Sequence, residues 1–314
     1  MLSLVIPTYG REQVLVDTIA ALEPQRRALA SASELLVVDQ TPTHQPAVQA
    51  ALEAWQRAGR LRWLRLSRPH LTRAMNTGLL QARGDTVLFL DDDIVPAPGL
   101  LQAHRQAHRR HRQAWAVVGQ VLQPGQTPQP LLPRAHRSEL WRDLDFPFHS
   151  SLGAWIENAM AGNLSLKRER ALAIGGFDER FPPPVAARFE TEFAKRLIAG
   201  GGRIWFEPQA SLHHLAASAG GTRSRGSHLT SAAGHHGVGD CYYALRCGRG
   251  LPRAWYLLRR PLREVRTRFH LRHPWWIPVK LLGEMRALAS ALSLGCRPPL
   301  LLPPLSEPPP EPAP

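Results

Sequence analysis

Over the first ninety residues, short apolar runs alternate with longer amphipathic stretches, and few architectures accommodate that order. Leu2–Pro7, Glu34–Asp39, Leu61–Leu66 and Thr86–Asp91 read as strands, and residues 11–30, 45–58 and 72–82 as the helices between them. A βαβαβαβ order predicts an α/β fold with a mainly parallel sheet covered by helices on both faces. Ligands bind such sheets beyond the carboxyl ends of the strands. Asp39 and Asp91 both fall there.

Past residue 95 the pattern is less regular. Helices are expected over 99–113, 168–174 and 188–199, and strands over Trp115–Leu122 and Arg203–Pro208. A first domain would then span 1–217, with halves at 1–95 and 96–217. A flexible Gly/Ser/Arg loop follows over 218–237, then a basic helical extension over 238–296 and a Pro-rich tail over 297–314 that is expected to be disordered.

The 314 residues carry a formal charge of +14, and residues 241–286 alone hold eleven basic side chains against Glu264 and Glu284. That segment admits three readings: an in-plane contact with anionic lipid, a surface that binds a substrate or packs on the first domain, or a nucleic-acid site. Nothing reaches the ~18 apolar residues of a spanning helix, and no signal-peptide pattern opens the chain. Cys241, Cys247 and Cys296 form neither a CxxC nor an even set. A cytoplasmic location is therefore expected, peripheral to the inner face of the cell membrane if residues 241–286 meet lipid.

There is no GxxxxGK[ST], and no GxGxxG follows the first strand, which argues against P-loop and dinucleotide chemistry. The feature that stands out is Asp91-Asp92-Asp93 at the end of a buried strand. Adjacent carboxylates repel one another, and a hard divalent cation relieves that; a solvated acidic turn or helix cap is the other reading of the residues alone. His104, His108 and His111 share one helix face among arginines and are expected to face solvent.

Six segments, in order, resemble glycosyltransferase family 2, the inverting type with the GT-A fold: VIPTYGR (5–11), VVDQTP (37–42), LTRAMNTGLLQARGDTVLFLDDD (71–93), GNLSLKRE (162–169), GGFDERF (175–181) and FETEFAKRL (189–197). Gln40, Met75 and FETE depart from the commoner forms. The resemblance implies a metal-dependent transfer of sugar from a nucleoside-diphosphate sugar to a hydroxyl of a saccharide or lipid-linked glycan. It implies that Pro7, Thr8, Tyr9, Arg11, Asp39, Arg73, Asn76, Asp91 and Asp92 face the nucleotide sugar, and that Asp91, Asp93 and His214 (or His213) hold Mn²⁺ or Mg²⁺. Glu190 is the implied general base, with Glu192 as the alternative. Arg223 and Arg225 in the glycine-rich loop would close over the diphosphate, unless that loop is merely solvated. The rival readings are a nucleotidyltransferase on the same kind of sheet, a nucleotide binder without turnover, and a nucleic-acid-binding protein. The ordered motifs oppose the last, so no nucleic-acid partner is expected.

Overall fold

The computed structural model describes residues 1–29, 33–134, 139–221 and 227–303. The elements run β1 (Leu2–Thr8), α1 (Gln13–Ala28), β2 (Ser33–Asp39), α2 (Pro46–Arg57), β3 (Arg62–Arg65), α3 (Leu71–Gln81), β4 (Thr86–Leu90), β5 (Ile94–Pro96), α4 (Leu100–Arg110) and β6 (Ala114–Leu122). There follow β7 (Ala154–Ile156), β8 (Asn163–Lys167), α5 (Arg168–Ala173), α6 (Phe189–Ala199), β9 (Arg203–His214), α7 (His235–Cys247), α8 (Gly250–Val265), α9 (Arg268–Arg272) and α10 (Ile277–Gly295).

The expected mainly parallel half is present: β3, β2, β1 and β4 are neighbours in that order, and every pairing among them is parallel. Strict two-residue alternation explains their unbroken apolar runs. Leu4, Ile6, Leu35, Val37, Leu88 and Leu90 enter one hydrophobic cluster, while Val5, Leu36, Val38, Val87 and Phe89 enter the other on the opposite face.

The second half makes the sheet mixed. β8 lies antiparallel between β4 and β6, and β9 runs parallel to β6. β9 is longer than the strand expected over Arg203–Pro208. Its pairing with β6 jumps from Gly119↔Glu207 to Gln120↔Ser211, so Pro208, which has no N–H to give, sits in a bulge rather than ending the strand. Beyond the bulge the strand pairs with β5, with His214 opposite Ile94.

The histidines of α4 do not face solvent. His104 is fully buried, its Nδ1 2.8 Å from Ser165 Oγ and its Nε2 2.8 Å from Asn163 Oδ1, and His108 Nε2 lies 2.9 Å from the same serine. Burial holds His104 down to about 4 and His108 to about 3. His111 stacks on Trp205 at 3.8 Å between ring centroids. The correction for His104 and His108 has a simple cause: β8 presents polar side chains toward α4, so these two histidines form its inner face, while His111, just past the helix, stays partly exposed. Cys241 and Cys247 are free thiols, and burial pushes both up to about 12.

The Pro-rich tail is ordered over its described part, 297–303. Leu302 N–H donates to Gly175 O at 2.8 Å, Glu179 N–H to Leu300 O at 2.9 Å and Leu300 N–H to Asp178 Oδ1 at 2.8 Å. Residues 304–314 lie outside the described residues. Among the described residues no helix is long and apolar enough to cross a membrane.

Candidate active site

The carboxyl ends of β1 and β4, the far end of β9 and the first turn of α6 converge on a cavity of about 590 Å³. Pro7, Thr8, Tyr9 and Arg11 line it from β1, Asp91, Asp92 and Asp93 from β4, His214 from β9 and Glu190 from α6. Nine of the residues expected at the site are thus brought together.

Within this group Asp91, Asp93 and His214 each offer one ligand atom within 4.8 Å of the others. His214 Nε2 is 3.2 Å from Asp93 Oδ1 and 3.6 Å from Asp91 Oδ2. Its Nδ1 lies 3.1 Å from Gln123 Oε1, which orients the ring so that Nε2 points at the carboxylates. Two carboxylates and one imidazole fit a divalent cation with open positions. His213 is the strand neighbour on the other face and is exposed. Gly162 makes room for the cluster, since a Cβ there would lie 2.2 Å from Asp91 Oδ2.

Arg11 ties the acidic turn to the chain around it. Its Nε is 3.0 Å from Asp92 Oδ1 and its Nη2 3.2 Å from Asp93 Oδ2, and Nη1 donates to the carbonyls of Ala217 and Ala219. Burial pushes Asp92 up to about 6, with Arg11 opposing. Burial also acts on Asp93, but hydrogen bonds from His214 and the Ala217 N–H, with the Arg11 charge, bring it below the usual carboxylate range. Asp92 thus turns to Arg11, while Asp91 and Asp93 face His214.

Glu190 stands in the first turn of α6, and burial pushes its carboxyl up to about 7, with the Asp91 charge adding to the rise. Glu192 is absent from the cavity wall: it is buried and held by Arg196 at 2.6 and 2.9 Å. A second cavity of about 600 Å³ also reaches Glu190, lined by Phe146, Phe148, Asn158, Arg188, Thr191 and Asp240 among others. Glu190, Met160 and Ala187 belong to both walls.

Three expected residues lie off the cavity. Asp39 is buried behind it, its Oδ2 accepting from His44 Nε2 at 2.7 Å and Trp63 Nε1 at 2.9 Å and its Oδ1 from the Thr41 N–H at 2.8 Å. Gln40, the departure from the usual second aspartate, lines the wall instead. Arg73 pairs with Glu179 at 2.9 Å. Asn76 bonds both ways with the backbone of Phe177, at 2.8 Å each. Both therefore fasten the 175–181 segment to α3. Sequence reasoning missed Gln123 and Met160, for which no motif signal exists. Arg223 and Arg225 lie outside the described residues.

Residues 3–169, more than half of the chain, match the sequence profile of glycosyl transferase family 2. The chain belongs to that family. Solved structures agree on the fold. The S. aureus protein TarS (residues 1-349), in complex with UDP-GlcNAc, superposes with a TM-score of 0.58 at 14% identity, covering 94% of this chain and 89% of that one. The mannosyltransferase PcManGT from Pyrobaculum calidifontis, in complex with GDP-Man and Mn²⁺, gives 0.50 at 18% identity, covering 93% and 75%. GalNAc-T7 with UDP, GalNAc and Mn²⁺ gives 0.55 at 15% identity over 68% of this chain, which spans only 43% of that protein's length. Comparison with curated proteins gives no match. This family 2 member is thus a glycosyltransferase with the GT-A fold, and its sheet is mixed, with a parallel first half.

Proposed function

We propose that this family 2 member transfers a sugar, with inversion, from a nucleoside-diphosphate sugar in the first cavity to a hydroxyl of a saccharide or lipid-linked glycan in the second. The observation that carries the reading is the place of Glu190, a carboxylate shared by the walls of both cavities. An acceptor hydroxyl is too weak an acid to ionise near neutrality and needs a base within reach. A carboxyl raised to about 7 is well matched to this proton transfer. It takes the hydroxyl proton as the oxygen attacks the anomeric carbon from the side away from the leaving diphosphate.

Asp91, Asp93 and His214 would hold a divalent cation, Mn²⁺ or Mg²⁺, which when bound supplies positive charge for the diphosphate. Pro7, Thr8 and Tyr9, with Gln40, form the wall where a nucleoside would lie. Arg11 holds Asp92 and Asp93 in place, so that the aspartates do not splay apart under their own repulsion. Phe146 and Phe148 give the second cavity apolar faces for a sugar ring, and Asn158 and Thr191 give it polar groups for hydroxyls. The neighbours crystallised with UDP, UDP-GlcNAc or GDP-Man support a nucleotide donor, and they differ in the base.

Calorimetry with UDP and with GDP, each in Mn²⁺ and in EDTA, tests the site on wild type and Asp93→Ala. One nucleotide is expected to bind with Mn²⁺ only, with affinity reduced on the order of a hundredfold in the variant, as when a metal ligand is lost. Absence of binding for both nucleotides and for dTDP with metal present would overturn the reading. Release of pyrophosphate instead of nucleoside diphosphate during turnover would replace it with nucleotidyl transfer.

A further inference from the structure

Helix α8 is amphipathic in the inverse sense. Its protein-facing side carries the buried Arg260 and the partly buried Glu264, together with Tyr256, and all but Tyr256 line the second cavity. Its outer side carries Leu251, Trp255, Leu258 and Leu262, exposed by 85, 60, 70 and 54%. Spacings of four, three and four residues put these four side chains on one stripe of the helix. A helix held to its domain by polar groups, with its leucines in water, lacks a partner on its apolar face.

Charge indicates which partner. The acidic groups around α8 are consumed internally: Asp240 by Arg188, Arg260 and Arg263, Glu264 by Arg263 and Lys280, and Glu284 by Arg260 and Lys280. Arg259 and Arg266, which flank the stripe on the helix surface, are exposed and form no ion pair among the described residues, and neither do Arg249, Arg253, Arg268 and Arg272 nearby. The apolar stripe is therefore rimmed by uncompensated positive charge. A second copy of the chain would bring the same arginines against themselves. An anionic bilayer receives leucines and a tryptophan at its interface and arginines at its headgroups.

We infer that the outer face of α8 docks on an anionic lipid surface. The docking does not depend on the transfer chemistry. It places the second cavity, walled by the opposite face of the same helix, beside the membrane.

Flotation of the full chain with vesicles tests this directly, without a turnover assay. Vesicles of equal parts phosphatidylglycerol and phosphatidylcholine are expected to carry the protein in low salt, and vesicles of phosphatidylcholine alone much less of it. High salt should weaken the association. L258D/L262D should reduce partitioning on the order of a hundredfold while the melting temperature stays near wild type, because both leucines are exposed. R259Q/R266Q, which leaves the stripe intact, should reduce it by roughly tenfold or more on anionic vesicles. Failure of wild type to float with anionic vesicles in low salt would overturn the inference. So would flotation indifferent to both pairs of substitutions, or a dimer in light scattering that L258D/L262D dissociates.

Discussion

Glu190 sets reactivity against stability. Its carboxyl, ordinarily near 4.5, is raised to about 7 in the fold by burial and by Asp91. Between those values the folded chain keeps a proton that the unfolded chain has released, so this group's contribution to stability falls as pH rises through that window. Glu190→Gln removes the effect. The variant is expected to melt a few degrees higher than wild type at pH 8, a gain on the order of 2 kcal/mol, and to match it at pH 4. The same substitution should lower kcat by roughly a thousandfold, remove the acidic limb of the rate profile near pH 7, and leave donor affinity unchanged. Thermal melts at the two pH values together with a rate profile check both effects. A loss of donor affinity in this variant would move Glu190 from the acceptor side to the donor side.

Among the elements, α3 shows a motif residue bonded within the fold, off the cavity wall. Asn76 is buried, exchanges two hydrogen bonds with Phe177 and reaches Glu179 Oε1 at 3.1 Å. The segment it holds also receives the tail, because Gly175, at φ +83°, packs against Leu301 and its carbonyl accepts from Leu302 N–H. Asn76→Ala leaves the Phe177 N–H and C=O without these partners and should cost about 2–3 kcal/mol in denaturant titration, with nucleotide affinity changed less than about twofold. Truncation after Arg297 should act on the same segment, by about 2 kcal/mol, through the lost Leu302 packing and backbone bonds. The helices and parallel strands of the first half were legible because each carries its own period. β8 and the extension of β9 were not: the polar/apolar alternation of β8 spans only five residues, with Asn163 and Ser165 turned to His104, and Pro208 imitates a strand end.

For the molecule as a whole, charge is sorted by depth. Asp240 sits under α8 with the Tyr256 hydroxyl and Arg188, Arg260 and Arg263 around it. Burial alone would raise its carboxyl, but Arg260 and Arg188 more than offset that and hold it below the usual carboxylate range. Its stabilising effect is therefore present above the ordinary range near pH 4 and lost as pH falls through the depressed value. Asp240→Asn leaves buried arginines uncompensated and should lower stability by about 3–5 kcal/mol at pH 7, measured by denaturant unfolding, with a smaller difference in acid. The basic extension is thus fastened by its few acids, which leaves its remaining arginines at the surface.

The sequence by itself determined the α/β order, the acidic turn and the run of motifs, since hydrophobic period and residue type are local properties. It also placed Glu190 ahead of Glu192 and His214 ahead of His213 by resemblance. Only the tertiary structure decided which of those residues meet. The bulge in β9 carries His214 past Pro208 to Asp93, and Arg196 takes Glu192 out of the cavity. Phe177 and Glu179 take Asn76 and Arg73, and His44 and Trp63 take Asp39. Each of these outcomes depends on a hydrogen bond to a partner distant in sequence or on a strand register, and neither is encoded in a local pattern.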